Sequence, residues 1–295
     1  MLFLGDKVKY LPNFSHNMAK IGIDIGGTKI SAATISNNKV KNKVSITTNA
    51  KGSEKEIISQ ITKLIDKLIN KKIKSIGIAV PAIVDFKQGI VYETVNIPSW
   101  KKVKLKEIFE NRYKKHHIKV NINNDANCFA LGEKHFGTDK DYSNFVVLSI
   151  GTGLGAGIII NNQLYNGANC GAGEFGEIPY KRSKLENYCS GQYFLKKYKL
   201  TGKELYQKAK RKDKIVLKAF QEFGYHLGKA LAIITHAYDP ELIILGGSVS
   251  KAYPYFKKAM LKSLQESVYK QSYNKIKIKV SRNKDSILLG AGMLE

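Results

Sequence analysis

The chain is poor in cysteine, has no long apolar run, and is short of acid. Its three cysteines, Cys128, Cys170 and Cys189, are an odd number at spacings of 42 and 19. That pattern fits neither a disulfide framework nor a metal knuckle, so all three are expected to be reduced and at least half-buried. No stretch approaches the roughly eighteen uncharged apolar residues of a membrane-spanning helix. The opening Met1 to Lys7 starts apolar but meets charge too early for a signal-peptide core, and a cytoplasmic protein is expected.

Acidic residues number 24 against 49 Lys and Arg, for a formal net charge of +25. Such an excess invites nucleic acid, an anionic membrane or a polyanion. The lysines are dispersed, however, in pairs at 71–72, 101–102, 114–115, 196–197 and 257–258, with no basic tail and no stripe of interleaved aromatics. This is the pattern of a solvated surface, so neither a specific nucleic-acid partner nor a membrane is expected.

What remains is ordinary globular material. Hydrophobic residues make up 43% and charged residues 25% of 295 residues, enough for a sizeable core in two domains or one large α/β unit. Residues 1–20 carry no periodicity and stop near a second Met, Met18, so they are expected to be a loosely ordered extension.

From Ile21 the pattern is β: Ile21 to Ile25, a turn at Gly26-Gly27-Thr28-Lys29, a second strand to Ile35, a turn at Asn37-Asn38, and a third strand to Thr47. A helix follows over residues 54–70, with Ile57, Ile58, Ile61, Leu64, Ile65 and Leu68 on one face. Ser75 to Val80 is a buried-type strand stopped by Pro81, a helix is expected over 105–115, and Ile118 to Ile122 is a strand running into Asn124-Asp125 and a helix. Further on, helices are expected over 191–199, 202–211, 215–238 and 255–269, strands over 241–245 and 275–280, and a closing helix over 286–295.

The opening layout recurs. Phe145 to Ile150, Gly151-Thr152-Gly153-Leu154-Gly155, Ala156 to Ile160, and Asn161-Asn162 repeat strand, glycine turn, strand and Asn-Asn turn, at offsets of 124 to 125. Two related lobes are implied, each opening on a hairpin whose turn suits an anion. Glycine lets backbone N–H groups approach phosphate oxygens, and Thr28 and Thr152 add hydroxyls. Asp24 sits at a strand end where a Mg²⁺-nucleotide would use a carboxylate, through water. The site is not of the Rossmann type, because Gly153 to Gly157 leads into a strand rather than a helix. No Walker A run is present either.

Asp125 stands at a strand-to-helix junction, where free N–H groups and the helix dipole are expected to keep it ionised and outward-facing. A carboxylate placed so can accept the proton of an alcohol attacking phosphorus; the bland alternative is a capping residue. Four glycines surround Glu174 and Glu177, as in a tight loop aiming carboxylates at hydroxyl groups, or an exposed acidic loop. Gly246-Gly247 after a strand would let an adenine lie against backbone, or would be a plain turn.

Together these segments resemble the ROK family of sugar kinases, within the actin/hexokinase/Hsp70-like superfamily, from about Ile21 to Leu294. Asp24 to Lys29 is similar to that family's first phosphate motif and Gly151 to Gly157 to its second. The resemblance implies Asp125 as catalytic base, and Asn96, Asn124, Glu174 and Glu186 as sugar ligands. It implies an α/β fold of two related actin-like ATPase (ribonuclease H-like) lobes around a cleft. The small lobe would span 21–122, joined by the terminal helix at about 284–295, and the large lobe 123–283. ATP and Mg²⁺ are implied as cofactors, held by Asp24, Gly26, Gly27, Thr28, Lys29, Gly151, Thr152, Gly153, Gly246 and Gly247, and a homodimer as the assembly.

Three departures stand out. Glu177 replaces the family histidine, and would take over a sugar hydrogen bond with altered hydroxyl preference. Residues 178–184 lack the usual cysteines, so no structural zinc is expected, since Cys189 alone cannot build a tetrahedral site. Ala82 stands where a Pro-Gly pair usually has glycine. The implied activity is ATP-dependent phosphorylation of a hexose, glucose first. Alternatives are N-acetylglucosamine, mannose or fructose as acceptor, and polyphosphate as donor. A sugar-responsive repressor is the alternative of another class; the roughly twenty residues before Ile21 are too few for its helix-turn-helix domain.

Overall fold

A computed structural model describes residues 19–92, 94 and 96–295. Residues 1–18 of the expected extension lie outside the described residues; its last two, Ala19 and Lys20, are not loose but open the first strand.

That strand, β1 (Ala19–Ile25), runs antiparallel to β2 (Lys29–Ser36), which pairs with β3 (Lys39–Thr47). Asn37 and Asn38 both have positive φ, 50° and 59°, the left-handed pair that a two-residue hairpin requires. Helix α1 (Glu54–Leu68) begins with a capping box between Ser53 and Glu56 and buries Ile57, Ile61, Leu64, Ile65 and Leu68. Strand β4 (Ile73–Val80) then lies parallel to β1. A small sheet of β5 (Ile83–Asp85), β6 (Ile90–Tyr92) and β7 (Lys102–Val103) is followed by α2 (Leu105–Arg112) and β8 (Lys119–Asn124), parallel to β4. The first main sheet has the order β3-β2-β1-β4-β8.

Helix α3 (Asp125–Phe136) leads to β9 (Phe145–Ile150), β10 (Leu154–Ile160) and the short β11 (Gln163–Leu164). Here too the hairpin turn carries two left-handed asparagines, Asn161 at 51° and Asn162 at 67°. A two-stranded hairpin of β12 (Pro179–Tyr180) and β13 (Ser183–Lys184) precedes four helices, α4 (Glu186–Cys189), α5 (Gly191–Tyr198), α6 (Gly202–Lys210) and α7 (Lys214–Tyr238). Strand β14 (Leu242–Gly246), α8 (Tyr253–Gln265), α9 (Lys270–Lys275), β15 (Lys277–Val280) and α10 (Ser286–Ala291) complete the chain. The single helix expected over 255–269 is a correction: α8 starts two residues earlier, with Pro254 in its first turn, and ends at Gln265 before a separate α9.

The second main sheet has the order β11-β10-β9-β14-β15. It repeats the first strand for strand, a three-stranded antiparallel meander extended by two parallel strands. Helices α3 and α10, which follow the last strands of the two halves, pack against each other. Each has a glycine at the crossing. A Cβ on Gly132 would lie 1.9 Å from the Ser286 carbonyl oxygen, and one on Gly290 1.7 Å from that of Cys128. Helix α10 also packs on β1 and β4, and α3 on β9 and β10, so this crossing joins the two sheets. The central strands are covered on both faces, which is why Ile21, Ile23 and Ile25 are buried together with Ala32 and Ala33.

Candidate active site

Two strand ends and one helix start converge on a set of carboxylates. Asp24 lies at the end of β1, paired in register with Ser31 and Ala79. Burial pushes its carboxyl up to about 6, against the opposing charges of Lys29 and Lys43. Asp125 is the first residue of α3, but the cap is Asn124, whose Oδ1 accepts the Ala126 N–H at 2.8 Å. Asp125 stays partly exposed, but the expectation that the helix start holds it ionised is corrected. Desolvation, then the charges of Asp24 and Glu174, push its carboxyl up to about 7, overriding the N–H groups of Ala126 and of Asp125 itself. Glu174 is itself raised, first by desolvation and then by Glu177 and Glu186, with Lys184 opposing.

The two glycine turns flank this group. In the first, the Gly26 N–H donates to the Lys29 carbonyl at 3.0 Å and the Thr48 hydroxyl donates to the Gly26 carbonyl at 2.7 Å. Thr28 and Lys29 are exposed at its tip, and Asn96 lies alongside, 3.0 Å from where a Gly27 Cβ would be. In the second, the Gly151 N–H donates to the Gly153 carbonyl at 3.0 Å, and the Gly191 N–H donates to the Gly151 carbonyl at 2.8 Å. The buried Ser190 hydroxyl is shared between the carbonyls of Thr152 and Glu186, at 2.9 and 2.7 Å. This turn lies beside Asp125, since a Cβ on Gly155 would lie 3.3 Å from that of Ala126.

Glu186 reaches the same turn. Its Oε2 accepts the Leu154 N–H at 3.1 Å, and its Oε1 lies 3.5 Å from Lys184. Lys184 also binds Glu177 Oε1 at 2.5 Å, so Glu177, mostly exposed, is tied to the β12–β13 hairpin. Asn124 is partly committed as well, donating from Nδ2 to the Ala82 carbonyl at 3.0 Å. Gly247, with φ +82°, places its turn against the end of β9, where a Cβ would lie 2.4 Å from the Ile150 carbonyl. Packing also requires glycine at 246, because a Cβ there would meet the Phe129 ring at 2.4 Å.

An asparagine network was not foreseen. Asn123 Oδ1 accepts the Asn124 N–H at 2.8 Å and Asn127 Nδ2 at 2.9 Å, while Asn123 Nδ2 donates to Asn166 Oδ1 at 3.0 Å. It ties the loop before Glu174 to the turn that carries Asp125. Asn123, in β8, and Asn127, in the first turn of α3, are buried four residues apart, a spacing visible in sequence, but Asn166 gives no local signal.

The sequence profile of the ROK family matches residues 20–295. The chain belongs to the ROK family. It is 31% identical over 270 residues to a glucokinase of Halalkalibacterium halodurans, covering 79% of this chain and 81% of that protein. It is 34% identical over 214 residues to the xylose repressor of Bacillus subtilis, covering 68% of this chain and only 54% of the repressor's length. A ROK family glucokinase from Streptomyces griseus, solved in complex with glucose and AMPPNP, superposes with a TM-score of 0.81 at 25% identity, covering 93% of this chain and 98% of that one. The two repeated sheets are accordingly those of the actin-like ATPase fold shared by ROK sugar kinases. Among the described residues, no helix is long and apolar enough to cross a membrane.

Proposed function

We propose that the chain is an ATP-dependent sugar kinase that transfers a γ-phosphoryl group to a hexose hydroxyl, with glucose the first acceptor to test. One observation carries the reading: the start of α3 brings the Asp125 carboxyl near Asp24, at the end of β1 in the opposite half, and Glu174 of its own, where desolvation and their charges raise its proton affinity. A base with that affinity for a proton is matched to drawing one from a primary alcohol at neutral pH. In the loose phosphoryl-transfer transition state, holding the alcohol in line matters more than base strength. Asn96, Asn124, Glu174, Glu177 and Glu186 would hold the sugar. The turns at Gly26–Lys29 and Gly151–Gly153 would hold the phosphates, with Gly246-Gly247 at the base.

Magnesium fits the donor set. Asp24 is a hard oxygen ligand, and its ionised form would be favoured by a nearby cation. Among the described residues no group of three or more His, Cys, Asp or Glu is placed to hold a metal ion. That suits an ion shared with nucleotide phosphates, because Mg²⁺ takes one or two carboxylates and keeps several waters. When bound, it would neutralise developing charge on the phosphoryl oxygens.

An ADP-release assay over hexoses and amino sugars tests the proposal, with polyphosphate as a second donor. No turnover of any sugar with either donor would refute it. The 34% identity to the xylose repressor keeps a second reading, a sugar-responsive regulator. Sequence-specific DNA retardation that survives raised salt would support that one, whereas salt-sensitive retention would reflect only the lysines.

A further inference from the structure

The hairpin that carries Glu177 at its entry and Glu186 just after its exit packs Ile178 and Leu185 into the core and meets helix α7 through a cluster of rings. Tyr180, in β12, lies with its hydroxyl 3.1 Å from His226 Nδ1, and its ring meets the imidazole edge-on at 5.7 Å. Tyr188, in α4 and two residues beyond Glu186, packs on the same imidazole at 5.1 Å and on the Tyr180 ring at 5.2 Å. His226 is 8% exposed, in the middle of the 25-residue helix α7, which buries 13 of its residues. At the hairpin tip, Lys181 lies about 6 Å over the rings of Tyr180, Tyr188 and Tyr225. The rest of the hairpin is short: each strand has two residues, which give little rigidity of their own.

We propose that the Tyr180–Tyr188–His226 cluster is a clasp that positions the Glu177–Glu186 acids for the sugar acceptor. It acts through other residues: one edge of the hairpin is pinned to α7, and Lys184 then couples Glu177 to Glu186, whose other oxygen is fixed by the Leu154 N–H. Edge-on ring packing and one hydrogen bond from a half-buried tyrosine to the buried His226 fix direction as well as distance, which a loop of this length cannot do by itself. The proposal rests on the sugar-kinase reading, since it assigns the acids to the acceptor.

The test is Tyr180→Phe, which removes one hydroxyl and keeps the ring, with His226→Leu and the double variant closing a cycle. The expected result for Tyr180→Phe is a sugar KM raised about tenfold, the worth of one buried hydrogen bond to an oriented group, with ATP KM and kcat within about twofold. Adding Tyr180→Phe to His226→Leu should raise the sugar KM no further. Peptides covering 174–189 should exchange amide hydrogen faster in Tyr180→Phe, and those of α7 should not. A sugar KM unchanged in Tyr180→Phe, or sugar and ATP KM rising together, overturns the clasp while leaving the kinase intact. Wild-type protein that phosphorylates no sugar overturns the kinase reading, and with it the clasp's role.

Discussion

Asn123 donates a side-chain hydrogen bond to Asn166 across 43 residues of sequence, at 3.0 Å. Its own oxygen meanwhile holds the Asn124 N–H, the residue that caps α3. The orientation of Asp125 is therefore fixed through a loop that begins more than forty residues later. Asn166→Ala should unfold no element, but should lower kcat/KM by about tenfold or more, with about 1–2 kcal/mol lost from stability. Steady-state kinetics beside denaturant titration would check it; full activity at reduced stability would show the network to be structural only.

Asp125→Asn should keep sugar affinity and lose turnover by about a hundredfold to ten-thousandfold. Calorimetric sugar binding and a coupled assay measure the two separately. Near-wild-type turnover would remove Asp125 from the role of base.

The pH profile follows from the direction of the Asp125 shift. A base must be deprotonated, so kcat/KM should climb with pH and level off near the free-enzyme value of about 7. The charge of Glu174 helps to raise that value. Glu174→Gln should accordingly move the rising limb to lower pH; a limb that stays put would show that Glu174 does not act on Asp125.

Stability responds to pH with opposite signs at two places. Burial, with Lys181 adding to it, lowers His226 from 6.5 to about 4, so between those values the unfolded chain binds a proton that the folded one does not. That contribution weakens the fold as pH falls through this window. Asp125 is raised from 3.8 to about 7, so in its window the folded chain binds the extra proton, and the fold weakens as pH rises. Asp125→Asn should thus melt above wild type at pH 8, with the gap closing towards pH 4. Calorimetric scans at both ends decide it.

Much of the architecture was legible in the sequence. The two Asn-Asn turns and the offset glycine turns announced a repeat, because left-handed residue pairs and phosphate-type turns are local and leave local marks. The matching sheet orders followed from that repeat. The environment of Asp125 was not legible. A helix start favours an ionised carboxylate, and only the folded arrangement desolvates Asp125 and brings Asp24, from a hundred residues earlier, close enough to reverse that preference. The β12–β13 hairpin was missed for a related reason. Its two-residue strands have no periodicity, and the rings that hold it lie as far off as His226. The end of α8 at Gln265 was hidden because Phe256, Met260, Leu264 and Val268 keep a helical spacing past it.

Gly132 and Gly290 bring two helix backbones to within a methyl group's width, and those helices carry different sheets. The gauge between the halves is consequently set by hydrogen atoms standing where methyls would be. Gly132→Ala or Gly290→Ala should act as a shim, wedging Asp24 away from Asp125 and dropping the latter's proton affinity without altering either carboxylate.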